Sequence, residues 1–173
     1  MVKATQNTAL FDNTINPLDG VEEALMNNDW VYSRPQHDEL AVHIHGKNCN
    51  YSLTFLWQEE FRALQFFCLY DMDIPNHKRE QAIRAIHNVN ENIWLGHFEL
   101  PDIQKNNSFP QFRHTSLFRG ANIASGADLI ADLIDIGVSE CERHFSIFDL
   151  LARDTNLDDS LLDLLTQDTQ GQA

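Results

Sequence analysis

The chain has 173 residues, with 12 Lys+Arg against 26 Asp+Glu and a formal net charge of −14. That length suits one domain, which buries about 70% of the surface its unfolded form exposes and needs no disulfide or metal staple. Hydrophobic residues at 43%, charged residues at 22%, 7 Gly and 5 Pro exclude a wholly disordered, collagen-like or low-complexity chain, and the shortage of Lys and Arg argues against nucleic acid or an anionic membrane surface as a partner.

Residues 1–15 are polar and aperiodic and read as a flexible tail. A helix follows, with Asn16 as its cap, Pro17 at its first position and Asp19 at the positive end of its dipole. Leu18, Val21, Leu25 and Met26 give it a 3.6-residue period, and Asn27, Asn28 and Asp29 end it. Trp30 to Pro35 is extended, and the proline makes it an edge strand. Glu39 to His45 alternates, with Leu40, Val42 and Ile44 on one face and Ala41, His43 and His45 on the other. After the Gly46-Lys47-Asn48 turn, Tyr51, Leu53, Phe55 and Trp57 alternate with Ser52, Thr54 and Leu56. Phe61 to Met72 is a long strand with Leu64, Phe66, Cys68 and Tyr70 on one side and Ala63, Phe67 and Leu69 on the other. Apolar residues on both sides call for cover on both, by helices on one and by something else on the other.

A second helix starts near Pro75, its apolar stripe made of Ala82, Ile83, Ile86, Val89, Ile93 and Trp94. Gly96 opens a short strand carrying Phe98 and Leu100, Pro101 to Ser108 is a polar loop, and Phe109 to Phe118 alternates again. A long helix begins near Ser125, with Asp128 in a capping-box-like position. Its many apolar residues, from Leu129 to Phe148, exceed one stripe, so it should pack on two sides, and Gly137 at its centre suggests close approach of another backbone. Residues 154–165 read as a short acidic helix, followed by a polar tail. The order α-β-β-β-α-β-β-α, an antiparallel sheet flanked by helices, is an α+β pattern. The domain plan is a tail over 1–15, an α+β domain over 16–153 and an acidic C-terminal helix and tail over 154–173.

The acidity is uneven, net −5 over residues 1–121 and −9 over 122–173. This suits a self-repelling soluble protein or a surface that meets a basic partner. Cys49, Cys68 and Cys141 are odd in number, form no CxxC and read as small buried hydrophobes in a reducing compartment. The N-terminus lacks a signal-peptide core, and the longest apolar stretch, Leu64 to Tyr70, is too short to span a bilayer, so a cytoplasmic location is expected.

Several blocks, NPLDGVEEAL, DELAVHIHGKNCNYSLTFLWQEEFRALQFFCLYDMDIP, VNENIWLGHFEL, FRHTSLFRG and SECERHF, fall in the order seen in the alphaproteobacterial branch of the YbjN domain family. The chain resembles that family, labelled a "putative bacterial sensory transduction regulator", over about residues 16–150. The resemblance implies a fold similar to the type III secretion chaperones, commonly dimeric, and transfers no catalytic or cofactor residue.

The residues themselves nominate little chemistry. His43 and His45 share one strand face, a spacing that can supply two metal ligands, but a structural zinc site takes about four, and an exposed polar face explains them. His97 and His114 read as cross-strand neighbours. The carboxylate pairs Glu22-Glu23, Glu59-Glu60 and Asp71/Asp73 fit turns and helix ends, Ser139 and His144 have no third triad member, and no Walker or GxGxxG pattern occurs. No enzyme, cofactor or metal site is expected. The apolar surplus of Phe55, Trp57, Phe67 and Leu69 is the stronger signal, because one layer of helices should not hide all four; it nominates a dimer or partner surface. The expected function is therefore noncatalytic binding of a protein segment by a chaperone-like adaptor or regulator, with a homodimer favoured. The alternative is a ligand- or metal-sensing regulator.

Overall fold

The computed structural model describes residues 16–27, 29–101, 107–118 and 126–153. Helix α1 (Pro17–Asn27) begins as its sequence dictates: Asn16 Oδ1 accepts the Leu18 N–H at 3.0 Å, and Asn16 Nδ2 donates to the His37 carbonyl at 2.9 Å. The helix closes in a Schellman arrangement. The Trp30 N–H donates to the Leu25 carbonyl at 3.0 Å and the Asp29 N–H to the Met26 carbonyl at 3.2 Å, with Asp29 in the left-handed region at φ 56°. Leu18, Val21 and Leu25 are buried, whereas Met26 is exposed.

Strands β1 (Tyr32–Gln36), β2 (Glu39–His45), β3 (Asn50–Gln58) and β4 (Ala63–Tyr70) follow as an antiparallel meander. The two-residue β5 (Ile74–Pro75) leads through a 3₁₀ turn into α2 (Arg79–Asn90). Strand β6 (His97–Glu99), the two-residue β7 (Asn107–Ser108), β8 (Gln111–Leu117) and helix α3 (Gly126–Ala152) complete the chain. The main sheet has six strands in the order β1-β2-β3-β4-β8-β6, and β5 pairs with β7. The class is α+β, as the alternation and helical periods imply. Five strands precede α2, four of them in the main sheet and the fifth the two-residue β5, where the periodicity gives three or four; the proline-bearing segment does pair, at the sheet edge and with an irregular register between Ser33 and Gln36.

One core joins the helices to a single face of the sheet. Leu40, Val42, Tyr51, Leu53, Phe55, Leu64, Phe66, Cys68, Tyr70 and Phe112 are at most 1% exposed, and all share that face. Helix α3 lies across it. The Tyr70 hydroxyl donates to the Cys141 carbonyl at 2.6 Å, and the Tyr70 and Phe148 rings meet at 5.0 Å. At Gly137 a Cβ would strike the Phe66 ring, so the close approach there is by an aromatic side chain rather than a second backbone. Ala82, Ala85, Ile86 and Val89 of α2 join the same core. Ile83 and Trp94 do not: they are 49% and 77% exposed, because the buried stripe runs through the small alanines, which let α2 sit close.

The turn between β2 and β3 is tied to α3 by Glu142. Its carboxylate accepts the Lys47 N–H at 2.6 Å, the Asn48 N–H at 3.3 Å and the Asn48 side-chain amide. A Cβ on Gly46 would collide with Tyr51 and Glu142, which is why the clamp needs glycine there. Among the described residues no helix is long and apolar enough to cross a membrane.

Candidate interaction surface

The register of the sheet decides which of the nominated side chains face outward. Phe55 pairs with Phe66 and Trp57 with Leu64, so both point into the core, at 0% and 7% exposure. Phe67 pairs with Thr54 and Leu69 with Ser52, on the opposite face, and both are half-buried. The four-residue surface is thus corrected to two. The error has a physical source: alternation shows that a strand has two faces, but which parity of one strand joins which parity of the next depends on pairing register.

On the outward face the rows can be followed across the sheet. Ala41, Thr54, Phe67, Arg113 and His97 form one row, and His43, Ser52, Leu69, Gln111 and Glu99 the next. The Arg113 guanidinium lies 5.4 Å from the Phe67 ring centroid and 3.5 Å from a Glu99 carboxylate oxygen. Gln111 donates to the other Glu99 oxygen at 2.6 Å. Leu56 is half-buried beside these rows, and Leu117 is 64% exposed at the end of β8. An apolar centre of Ala41, Leu56, Phe67 and Leu69 is therefore ringed by polar and charged groups. Among the described residues no helix covers this face, in contrast to the two-sided cover that the long apolar strand suggests.

The histidines are distributed rather than gathered. His43 Nδ1 lies 3.0 Å from Ser52 Oγ and His45 Nδ1 lies 2.6 Å from Asn50 Oδ1, each a cross-strand pair. His97 pairs with Arg113 rather than His114, which pairs with Phe66. Among the described residues no group of three or more His, Cys, Asp or Glu is placed to hold a metal. Burial pushes the Cys49 and Cys141 thiols up, and the Tyr51 and Tyr70 hydroxyls likewise, which holds all four protonated. Cys68 and Cys141 are buried and Cys49 is half-buried, all as free thiols. Glu140 lies 3.4 Å from His144 on the buried side of α3.

Sequence reasoning missed the Arg113–Phe67 stack and the Glu142 clamp. Both join residues far apart in the chain, and nothing local to either residue announces them. The acidic helix expected over 154–165 and the tails over 1–15 and 166–173 lie outside the described residues.

The family model for YbjN, described as "Putative bacterial sensory transduction regulator", matches residues 17–150. The chain belongs to the YbjN family. Among solved structures it is similar to YbjN from E. coli, described there as "a putative transcription regulator", at 11% sequence identity and a TM-score of 0.50, over 73% of this chain and 92% of that one. At that identity the likeness is one of fold. No curated protein matches the chain in sequence. The YbjN match covers every strand of the main sheet and nearly all of α3, so the open face belongs to the family domain itself.

Proposed function

We propose that this YbjN domain is a noncatalytic, cytoplasmic interaction module, a chaperone-like adaptor or regulator that binds a protein segment on the open face of its sheet. The observation that carries the reading is the Phe67–Leu69 patch: two large apolar side chains at the centre of a six-stranded sheet, half-buried on the face opposite the described α-helices. Contiguous apolar surface with a polar rim marks interaction sites. The family's description as a regulator supports a role exerted through a partner. The resemblance to secretion chaperones supports a carrier of protein segments and a homodimer. The net charge of −14 keeps such a carrier soluble and favours basic clients.

The test compares the native protein with Phe67→Glu and Leu69→Glu variants, first by sedimentation and then by affinity capture from the native cytoplasm. The reading expects a stable dimer or a discrete protein partner for the native chain, with either one lost in both variants. A monomer that captures no protein at low or high salt would overturn it.

A further inference from the structure

A second candidate surface lies away from the open face. The β1–β2 ladder ends at Tyr32↔Val42, so β2 runs three residues past it, from His43 to His45. The cause lies in the α1 closure. The Trp30 N–H is spent on the Leu25 carbonyl, so the chain enters β1 too late to pair with the end of β2. Helix α3 stands opposite that free end. Between them is a cleft of about 600 Å³, its apolar wall made by Trp30, Ile44, Ile134 and Val138. Its volume lies in the range of ligand-holding clefts, about 300–1,000 Å³. Asp29 and Asp135 are exposed at the rim, and the cleft lining contains no Lys or Arg.

We propose that this cleft receives an extended, basic peptide segment, which adds as a short strand to the free end of β2, seats an apolar side chain between Ile44 and Val138, and places flanking Lys or Arg beside Asp29 and Asp135. The proposal rests on the reading of the domain as a protein-binding module and names a second binding place and the chemistry of its occupant. Among the described residues no strand pairs with this end of β2, which leaves backbone groups for an added strand, and the apolar wall and acidic rim supply selectivity. The chain's net charge of −14 has the same sign as the rim, so approach of a basic segment is favoured from a distance as well as in contact.

Calorimetry with capped synthetic peptides tests it: Lys-Val-Lys-Val-Lys-Val-Lys, its glutamate counterpart, and the lysine peptide with alternate amides N-methylated. The lysine peptide should bind, and the glutamate peptide should not. N-methylation should weaken binding about tenfold or more, and so should the Asp29→Gly/Asp135→Asn variant, which removes both rim charges while suiting the left-handed turn at position 29. No heat with the lysine peptide, equal binding of the glutamate peptide, or affinity unchanged by either modification would overturn the proposal. If binding is instead lost in Phe67→Glu/Leu69→Glu and kept in Asp29→Gly/Asp135→Asn, the peptide sits on the open face: the cleft proposal fails and the broader protein-binding reading stands.

Discussion

The two faces of the six-stranded sheet are covered differently. The helix-covered face is packed with Phe55, Phe66, Tyr70 and Phe112, each at most 1% exposed, and its rings form a continuous network with Phe98 and Phe148. The other face carries Phe67 and Leu69 at comparable bulk, but Arg113 stacks on the Phe67 ring and the cross-strand neighbours are Thr54, Ser52 and Gln111. Neighbouring residues 66 and 67 thus have nearly the same chain position and opposite energetic meaning. Aromatic content alone is no guide to burial; the partner strand's register is.

The contrast can be measured residue by residue. Phe66→Ala should cost the most, about 3–5 kcal/mol by urea denaturation, because it opens a cavity between the sheet and α3 that the rigid surroundings cannot refill. A loss below about 1 kcal/mol would mean that the covered face is loosely packed. Gly137→Ala comes next. The helix gains about 1 kcal/mol in propensity, but the new methyl must push the Phe66 ring aside, and overpacking costs about 1–3 kcal/mol, so net destabilisation is expected. Combining Gly137→Ala with Phe66→Leu should recover part of the loss, which a purely helical effect would not do. Tyr70→Phe removes the bond to the Cys141 carbonyl and should cost about 1 kcal/mol or somewhat more, since that carbonyl is left buried.

Phe67→Ser on the open face should cost about 1 kcal/mol or less, far below Phe66→Ala, while abolishing partner or dimer formation. A cost equal to that of Phe66→Ala would show that both faces are core. The smallest effect is a pH dependence. Burial, and then the neighbouring His97, hold His114 below its ordinary value of 6.5. The folded state then binds fewer protons than the unfolded one, so the His114 contribution is intact above about 6.5 and declines as pH falls below it toward the lower folded value. Comparing His114→Asn with the native chain in denaturation from pH 8 to pH 5 should show a slightly flatter profile for the variant.

Much of this architecture was legible in the sequence. Asn16 and Pro17 mark the start of α1 because a cap and a fixed φ are local requirements, and the alternation of β2, β3 and β4 follows from the two-residue period of a strand. What was not legible depends on non-local geometry. The burial of Phe55 and Trp57 follows from register, the exposure of Ile83 from the choice of small residues for the α2 contact, and the cleft from a hydrogen bond at the end of α1 that denies β2 its last partner. The Gly46 glycine was readable as a turn, but its need for Glu142 nearly a hundred residues later was not.

The central claim is that the uncovered face of the sheet is occupied by protein in the cell. A photo-crosslinking amino acid placed at Phe67, and in a control at Ile83 on the exposed side of α2, tests it most directly. The account predicts a discrete protein adduct from position 67, whether a second copy or a client, and none of the same mass from position 83. Recovery of the chain without an adduct from position 67, or the same adducts from both positions, would contradict it.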